Sequence, residues 1–176
     1  TTCKEYSNAY SVAILSRRIY NGGQGGTFMK QKTATFIGHR DCFGISSDLV
    51  KSSIERLLEQ GVTDFLNGGM GSFDWLCARA VYELKISSHP EIRNYLVIPY
   101  LSFSIREKKY FDDILYPEGF EKYHFKSAIP ARNRYLVEHS AYAICYVNHS
   151  WGGAATTYRR AERQGLTLLN LAECEQ

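Results

Sequence analysis

Three glycine turns and an arginine pair stand next to apolar runs in this chain. The first turn is Gly38-His39-Arg40, closing the run "TATFIGHR". The second is Gly68, Gly69 and Gly71, followed by Asp74, in "TDFLNGGMGSFDW". The third is Trp151-Gly152-Gly153 with Thr156 and Thr157, in "SWGGAATTYRRAER". "IPARNR" adds Arg132, Asn133 and Arg134. These types suit the holding of a phosphate-bearing ligand. Glycine lets the backbone come close to a phosphate. A helix start offers unpaired N–H groups and the positive end of the dipole. Arginine forks onto phosphate oxygens. Asp74, in a first helical turn, would accept from a sugar hydroxyl. Each residue also has a plain structural reading. A Gly-Gly pair is often only a turn, and Asp74 suits a helix start by charge alone. Arg132 would serve in an ion pair with Glu138 or Asp74, and His39 in a satisfied loop. Their common placement favours the site: all fall at one edge of the expected sheet.

Other chemistries find less support. His39, His89, His124, His139 and His149 show no HExxH or other metal-ligand spacing. No GxSxG elbow is present. Cys42 and Cys145 lie near strand ends, where buried inert thiols compete with a nucleophile reading.

The elements that must position these residues alternate. "TATFIGHR" reads as a buried strand running into a loop. "SSDLVKSSIERLLEQG" places Leu49, Val50, Ile54, Leu57 and Leu58 on one helical face, with Ser46 or Ser47 as cap and Gly61 as stop. Strand, glycine turn and helix then recur, with Phe73, Leu76, Ala80 and Leu84 as the next apolar stripe. "NYLVIPY" and "AYAICYV" are buried strands, and "LTLLNL" is a last one. "IPARNRYLVEHS" reads as a helix with Pro130 in its first turn. The stretch from Ser104 to Phe125 is polar and aperiodic and is expected to hold one helix and a loop. This alternation, with no tight hairpin, predicts an α/β Rossmann-like three-layer fold around a mostly parallel sheet. In such sheets ligands bind beyond the carboxyl ends of the strands.

The 176 residues suit one domain, with a 44% hydrophobic and 22% charged composition of globular type. The net charge of +3 is too small for a nucleic-acid footprint. Five scattered cysteines without a CxxC pair fit a reducing, cytoplasmic setting. No apolar run reaches the ~20 residues of a membrane span. Residues 1–28 are expected to be a translated leader or non-core segment. Met29 opens a lysine-rich stretch before the first strand, and Gly25-Gly26 can be encoded by a ribosome-binding sequence. A basic targeting peptide and a docked helix over "AYSVAILSRRIY" are the rival readings. Residues 29–176 are then a single domain.

"FIGHR", "LNGGMGSFDWLCARAVYELK", "PARNRYLVEHSAYAICYV" and "WGGAATTYRRAE" together resemble the SLOG superfamily, which joins Smf/DprA proteins and LOG enzymes. The likeness is nearest to the bacterial YpsA-like branch and runs over nearly all of Met29–Leu171. It implies a Rossmann-like domain for nucleotides or nucleotide-derived signals. LOG enzymes hydrolyse the N-glycosidic bond of nucleoside monophosphates with an RK-type arginine and the Glu of PGGxGTxxE. Arg132-Asn133 matches the first motif with Lys changed to Asn. Trp151 stands for Pro, Ala155 for Gly and Arg159 for the Glu. Glycoside cleavage needs a carboxylate, and an arginine stays protonated.

The expectation is therefore a cytoplasmic sensor-like domain that binds a nucleotide or nucleotide-derived small molecule without catalysis, cofactor or metal. Its ligand residues are Gly38, His39, Arg40, Gly68, Gly69, Gly71, Asp74, Arg132, Asn133, Trp151, Gly152, Gly153, Thr156 and Thr157. Arg132 is expected at a helix start, partly exposed and facing Gly152-Gly153 across a phosphate. One alternative is a divergent N-glycoside hydrolase using Asp74 or Glu162. Another is DprA-like single-strand DNA binding, disfavoured by the low charge. No membrane partner is expected. The LOG-type resemblance implies a homodimer, and a monomer stays open.

Overall fold

The computed structural model describes residues 28–173. Apart from Phe28, the expected leader lies outside the described residues. Six strands form one all-parallel sheet: β1 (Thr33–Gly38), β2 (Asp64–Asn67), β3 (Arg93–Val97), β4 (Asp113–Leu115), β5 (Tyr142–Tyr146) and β6 (Thr167–Asn170). Their spatial order is β4-β3-β2-β1-β5-β6. Four helices cover it: α1 (Ser47–Glu59), α2 (Ser72–Ser87), α3 (Phe125–Glu138) and α4 (Gly152–Arg163). This is the expected α/β Rossmann-like architecture. Among the described residues, no helix is long and apolar enough to cross a membrane.

The layers follow from alternation along the strands. In β1, Ala34 and Phe36 point into a core with Val50, Ile54 and Leu57 of α1 and Phe73, Cys77 and Val81 of α2. Ile37 points the other way, to Val137 of α3 and Ala161 of α4. A strand buried on both faces reads as a continuous apolar run, which is the look of a central parallel strand. Thr35 is buried there because its hydroxyl donates to the Leu66 carbonyl at 2.9 Å. Helix α1 begins where Ser46 accepts from the Asp48 N–H at 3.1 Å and stops before Gly61, at φ +85°. Cys42, Cys77 and Cys145 are buried and unbridged, and burial pushes the Cys77 thiol well up.

Two expectations are corrected. The stretch after β3 holds short 3₁₀ turns (Lys108–Tyr110 and Phe120–Lys122) around the edge strand β4, where a helix and a loop were expected. Backbone pairing with β3 decides this: the Asp112 N–H donates to the Asn94 carbonyl at 2.8 Å, and the Asn94 N–H donates to the Asp112 carboxylate at 2.8 Å. Helix α3 also starts earlier, at Phe125, with His124 accepting from the Lys126 N–H at 3.4 Å. Pro130 thus lies inside the helix, where it denies Lys126 a backbone donor. Both residues are exposed, so water can take that place.

Strands β2, β3 and β4 run outward from β1 on one side, and β5 and β6 on the other. The strand order therefore reverses between β1 and β5, and such a reversal opens a crevice at the carboxyl edge.

Candidate functional site

A cleft of about 450 Å³ lies at this reversal. Of the expected ligand residues, Gly38, His39 and Arg40 line it from β1, and Gly68, Gly71 and Asp74 from the turn into α2. Arg132 and Asn133 line it from α3, and Trp151, Gly152, Gly153 and Thr157 from the start of α4. Gly69 and Thr156 do not. Gly69, at φ +64°, faces Leu96 and donates its N–H to Asn67 Oδ1 at 2.7 Å. Thr156 is exposed, and its hydroxyl donates to the Gly152 carbonyl at 3.0 Å.

Two helix N-termini face the cleft, and they differ. That of α2 already holds an anion: Asp74 Oδ2 accepts from the Met70 N–H at 3.0 Å, and the carboxylate also accepts from the Gly71 N–H. Burial raises the Asp74 pKa, while Arg132 and these N–H groups oppose the rise. Its carboxylate is thus engaged by its own turn, as the plain helix-start reading held. The start of α4 is bare. Trp151 caps it without a side-chain bond, and no acidic residue lies in its first turn. Nothing crowds Gly152 or Gly153 within 4 Å of where a Cβ would stand. Such a terminus presents N–H groups and a positive dipole end to an anion. Arg40, exposed at the cleft, makes no side-chain hydrogen bond or ion pair to any described residue.

Beside the bare terminus stands a stack of three rings. His39 and His149 lie 3.5 Å apart between centroids at 17°, and His149 and Trp151 lie 3.8 Å apart at 18°. Trp151 is 71% exposed, which leaves one indole face to solvent. The Asn148 N–H donates to His39 Nε2 at 3.3 Å, so neutral His39 carries its proton on Nδ1. His149 Nδ1 is buried and has no hydrogen-bond partner among the described residues. Burial first, and His149 second, lower the His39 pKa from 6.5. A histidine with a depressed folded-state pKa contributes stability above its unfolded value and loses it as pH falls through the folded one. Stability should therefore drop as pH falls below about 6.5, and His39→Gln should flatten that drop. Chemical denaturation between pH 8 and pH 5 measures it; an equal slope in both proteins would assign the pH dependence elsewhere.

Arg132 is where the structure departs most from expectation. It sits mid-helix in α3 and is only 3% exposed. Its Nη1 donates to the Gly68 carbonyl and, at 3.3 Å, to that of Val97, tying the ends of β2 and β3 together. Nε donates to Asn133 Oδ1 at 2.9 Å, while Nη2 makes no hydrogen bond to any described residue. Burial lowers the guanidinium pKa, against the attraction of Asp74 and Tyr100. Neither expected ion pair is present: Glu138 reaches Arg134 instead, at 3.9 Å, and Asp74 acts on Arg132 only through its field.

With this geometry in place, the fold can be compared with known proteins. The fold is similar to that of DNA processing protein A. The Helicobacter pylori protein, whose structure was described for its single-stranded DNA binding mode, aligns at 18% identity and a TM-score of 0.58 over 83% of this chain and 67% of that one. The Streptococcus pneumoniae protein aligns at 20% identity and a TM-score of 0.59 over 80% of this chain and 50% of that one. The chain thus spans half to two thirds of these proteins, and at such identity the likeness is one of fold. No family model and no curated protein matches the chain.

Several cleft residues lay outside the expected set, among them Asp41, Met70, Ile129, Leu136 and His149. His149 had a signal, since it stands two residues before Trp151 in the same post-strand turn. Ile129 and Leu136 had none, because apolar residues on a helix read as core. Arg159 is exposed and donates to the Ser150 carbonyl at 2.7 Å.

Proposed function

We propose that the cleft binds a nucleotide or nucleotide-derived small molecule. Its phosphate would sit on the bare start of α4 and its base on the open face of Trp151. The observation that carries this reading is the juxtaposition of an uncapped, glycine-lined helix N-terminus with an exposed, pre-stacked indole. Arg40 supplies an unengaged charge nearby. The SLOG resemblance supports the same reading, and the YpsA-like placing within it rests on the sequence motifs.

Binding without glycoside cleavage fits the carboxylates at hand. Asp74 is held by backbone N–H groups, Glu162 is exposed on α4 outside the cleft lining, Arg159 stands where the LOG-type acid would be, and Asp41, the remaining cleft carboxylate, lies solvent-exposed in the loop after β1. Calorimetric titration with nucleotides, including ADP-ribose and cyclic species, tests the reading. Stacking of a base on an aromatic side chain is worth about 1–3 kcal/mol. Trp151→Ala should therefore weaken binding about five- to 150-fold and leave the melting temperature unchanged, since the ring is exposed. No heat from any nucleotide at millimolar concentration would overturn the proposal.

A second reading is single-stranded DNA binding. It is favoured by the fold likeness to the Helicobacter pylori protein and by the capacity of Trp151 to stack on any base. A salt-dependent mobility shift with oligonucleotides, lost in Trp151→Ala, would select it over the mononucleotide reading.

A further inference from the structure

A second hollow, of about 400 Å³, lies on the outer side of α2, lined by Trp75, Leu76, Arg79, Arg106, Glu107 and Tyr110. It shares no lining residue with the cleft. Three features of it lack a structural purpose. Trp75 Nε1 is buried and finds no acceptor among the described residues, although buried indole N–H groups ordinarily find one. Arg106 is exposed and makes no hydrogen bond or ion pair to any described residue. Arg79 uses only its Nε, towards Glu83 at 2.7 Å, which leaves both terminal nitrogens of its fork. Around the hollow the cations outnumber the carboxylates: Glu83 is shared by Arg79 and Lys51, and Glu107 lies 3.9 Å from Lys109, with Arg106 in excess. The apolar part of the wall is formed by the Trp75 indole, Leu76 and the Tyr110 ring, which stands 5.3 Å from the Tyr82 ring and has Lys109 Nζ 5.3 Å from its centroid.

We propose that this hollow is a second ligand site, for a small oxyanion, phosphate or carboxylate, carried on a planar ring. The oxyanion lies between the Arg79 and Arg106 forks, beside the Trp75 indole that walls the hollow. The ring of the ligand lies against Tyr110. Arginine suits this task because its donors match two oxygens of one anion at once.

The chain has two tryptophans, so its indole N–H region holds one signal for each site. The full chain, labelled with ¹⁵N, would be titrated separately with phenyl phosphate, benzoate and inorganic phosphate. Trp75→Phe identifies the Trp75 signal. The expected result is a saturable shift of that signal with phenyl phosphate or benzoate, and a weaker one with inorganic phosphate. The tighter of the two ring-bearing probes assigns the oxyanion. Arg106→Ala, which removes no hydrogen bond or ion pair to a described residue, should weaken the response about tenfold or more. A Trp75 signal that stays still with all three probes overturns the proposal, whatever the Trp151 signal does. So does a midpoint unchanged in Arg106→Ala, or a response to inorganic phosphate alone.

Discussion

Arg132→Ala is expected to destabilise the protein by about 3–5 kcal/mol, the range seen when one partner of a buried charged contact is removed. The guanidinium is almost fully buried and spans two strand ends. Its loss strands the carbonyls of Gly68 and Val97 without that donor and takes from Asp74 the positive charge that offsets its burial. A hydrogen bond from a charged donor is worth about 1.5–3 kcal/mol, so two such contacts already reach the range. For a chain of this length the melting temperature should fall by about 6–20 °C. Arg132→Lys keeps the charge without the fork and should recover less than half of the loss. Thermal unfolding without ligand checks this. An unchanged melting temperature with a large loss of ligand affinity would mean that the arginine serves the ligand and not the strand ends.

That result bears on what a sequence can reveal. The strand–helix alternation was legible because the central strands are apolar runs that end at turn-forming residues, and α1, with its Ser46 cap and apolar stripe, shows the helical period plainly. Thr33–Gly38, Ser47–Glu59 and Gly152–Arg163 needed no tertiary information. The common edge of the glycine turns was legible for the same reason, since parallel strands place all their carboxyl ends together. The edge strand Asp113–Leu115 was not. Three residues carry no readable period, and its pairing depends on Asn94, far away in the chain. Pro130 misled because it suits a first turn, yet an exposed helix face tolerates it within. The role of Arg132 was hidden for a related reason. A helical position one turn further in changes a residue from cleft mouth to buried clamp, and the partners of the clamp are backbone carbonyls, which no residue type announces.

The turn at Gly38 makes the same point with a larger consequence for the cleft. In the sequence this glycine reads as a place where backbone nears a phosphate. The structure shows a nearer neighbour: a Cβ added at Gly38 would lie 2.2 Å from Phe73 Cδ1 and 2.4 Å from its Cγ. Phe73 is fully buried and stands in the first turn of α2, two residues after Gly71 and one before Asp74. The ring has nowhere to swing, so the methyl must push the start of α2 away from the end of β1. Overpacking of this kind costs about 1–3 kcal/mol, and a contact this short within rigid surroundings belongs at the upper end. Gly38→Ala should therefore lower the melting temperature by about 6–12 °C. It should also weaken ligand binding, because Gly71 and Asp74 move with the helix. A cycle with Phe73→Leu separates the causes. The smaller side chain makes room, so the double variant should be more stable than the sum of the single losses predicts. Strict additivity would show that Phe73 is not what excludes a side chain at position 38. An unchanged melting temperature with lost binding would return the glycine to the phosphate.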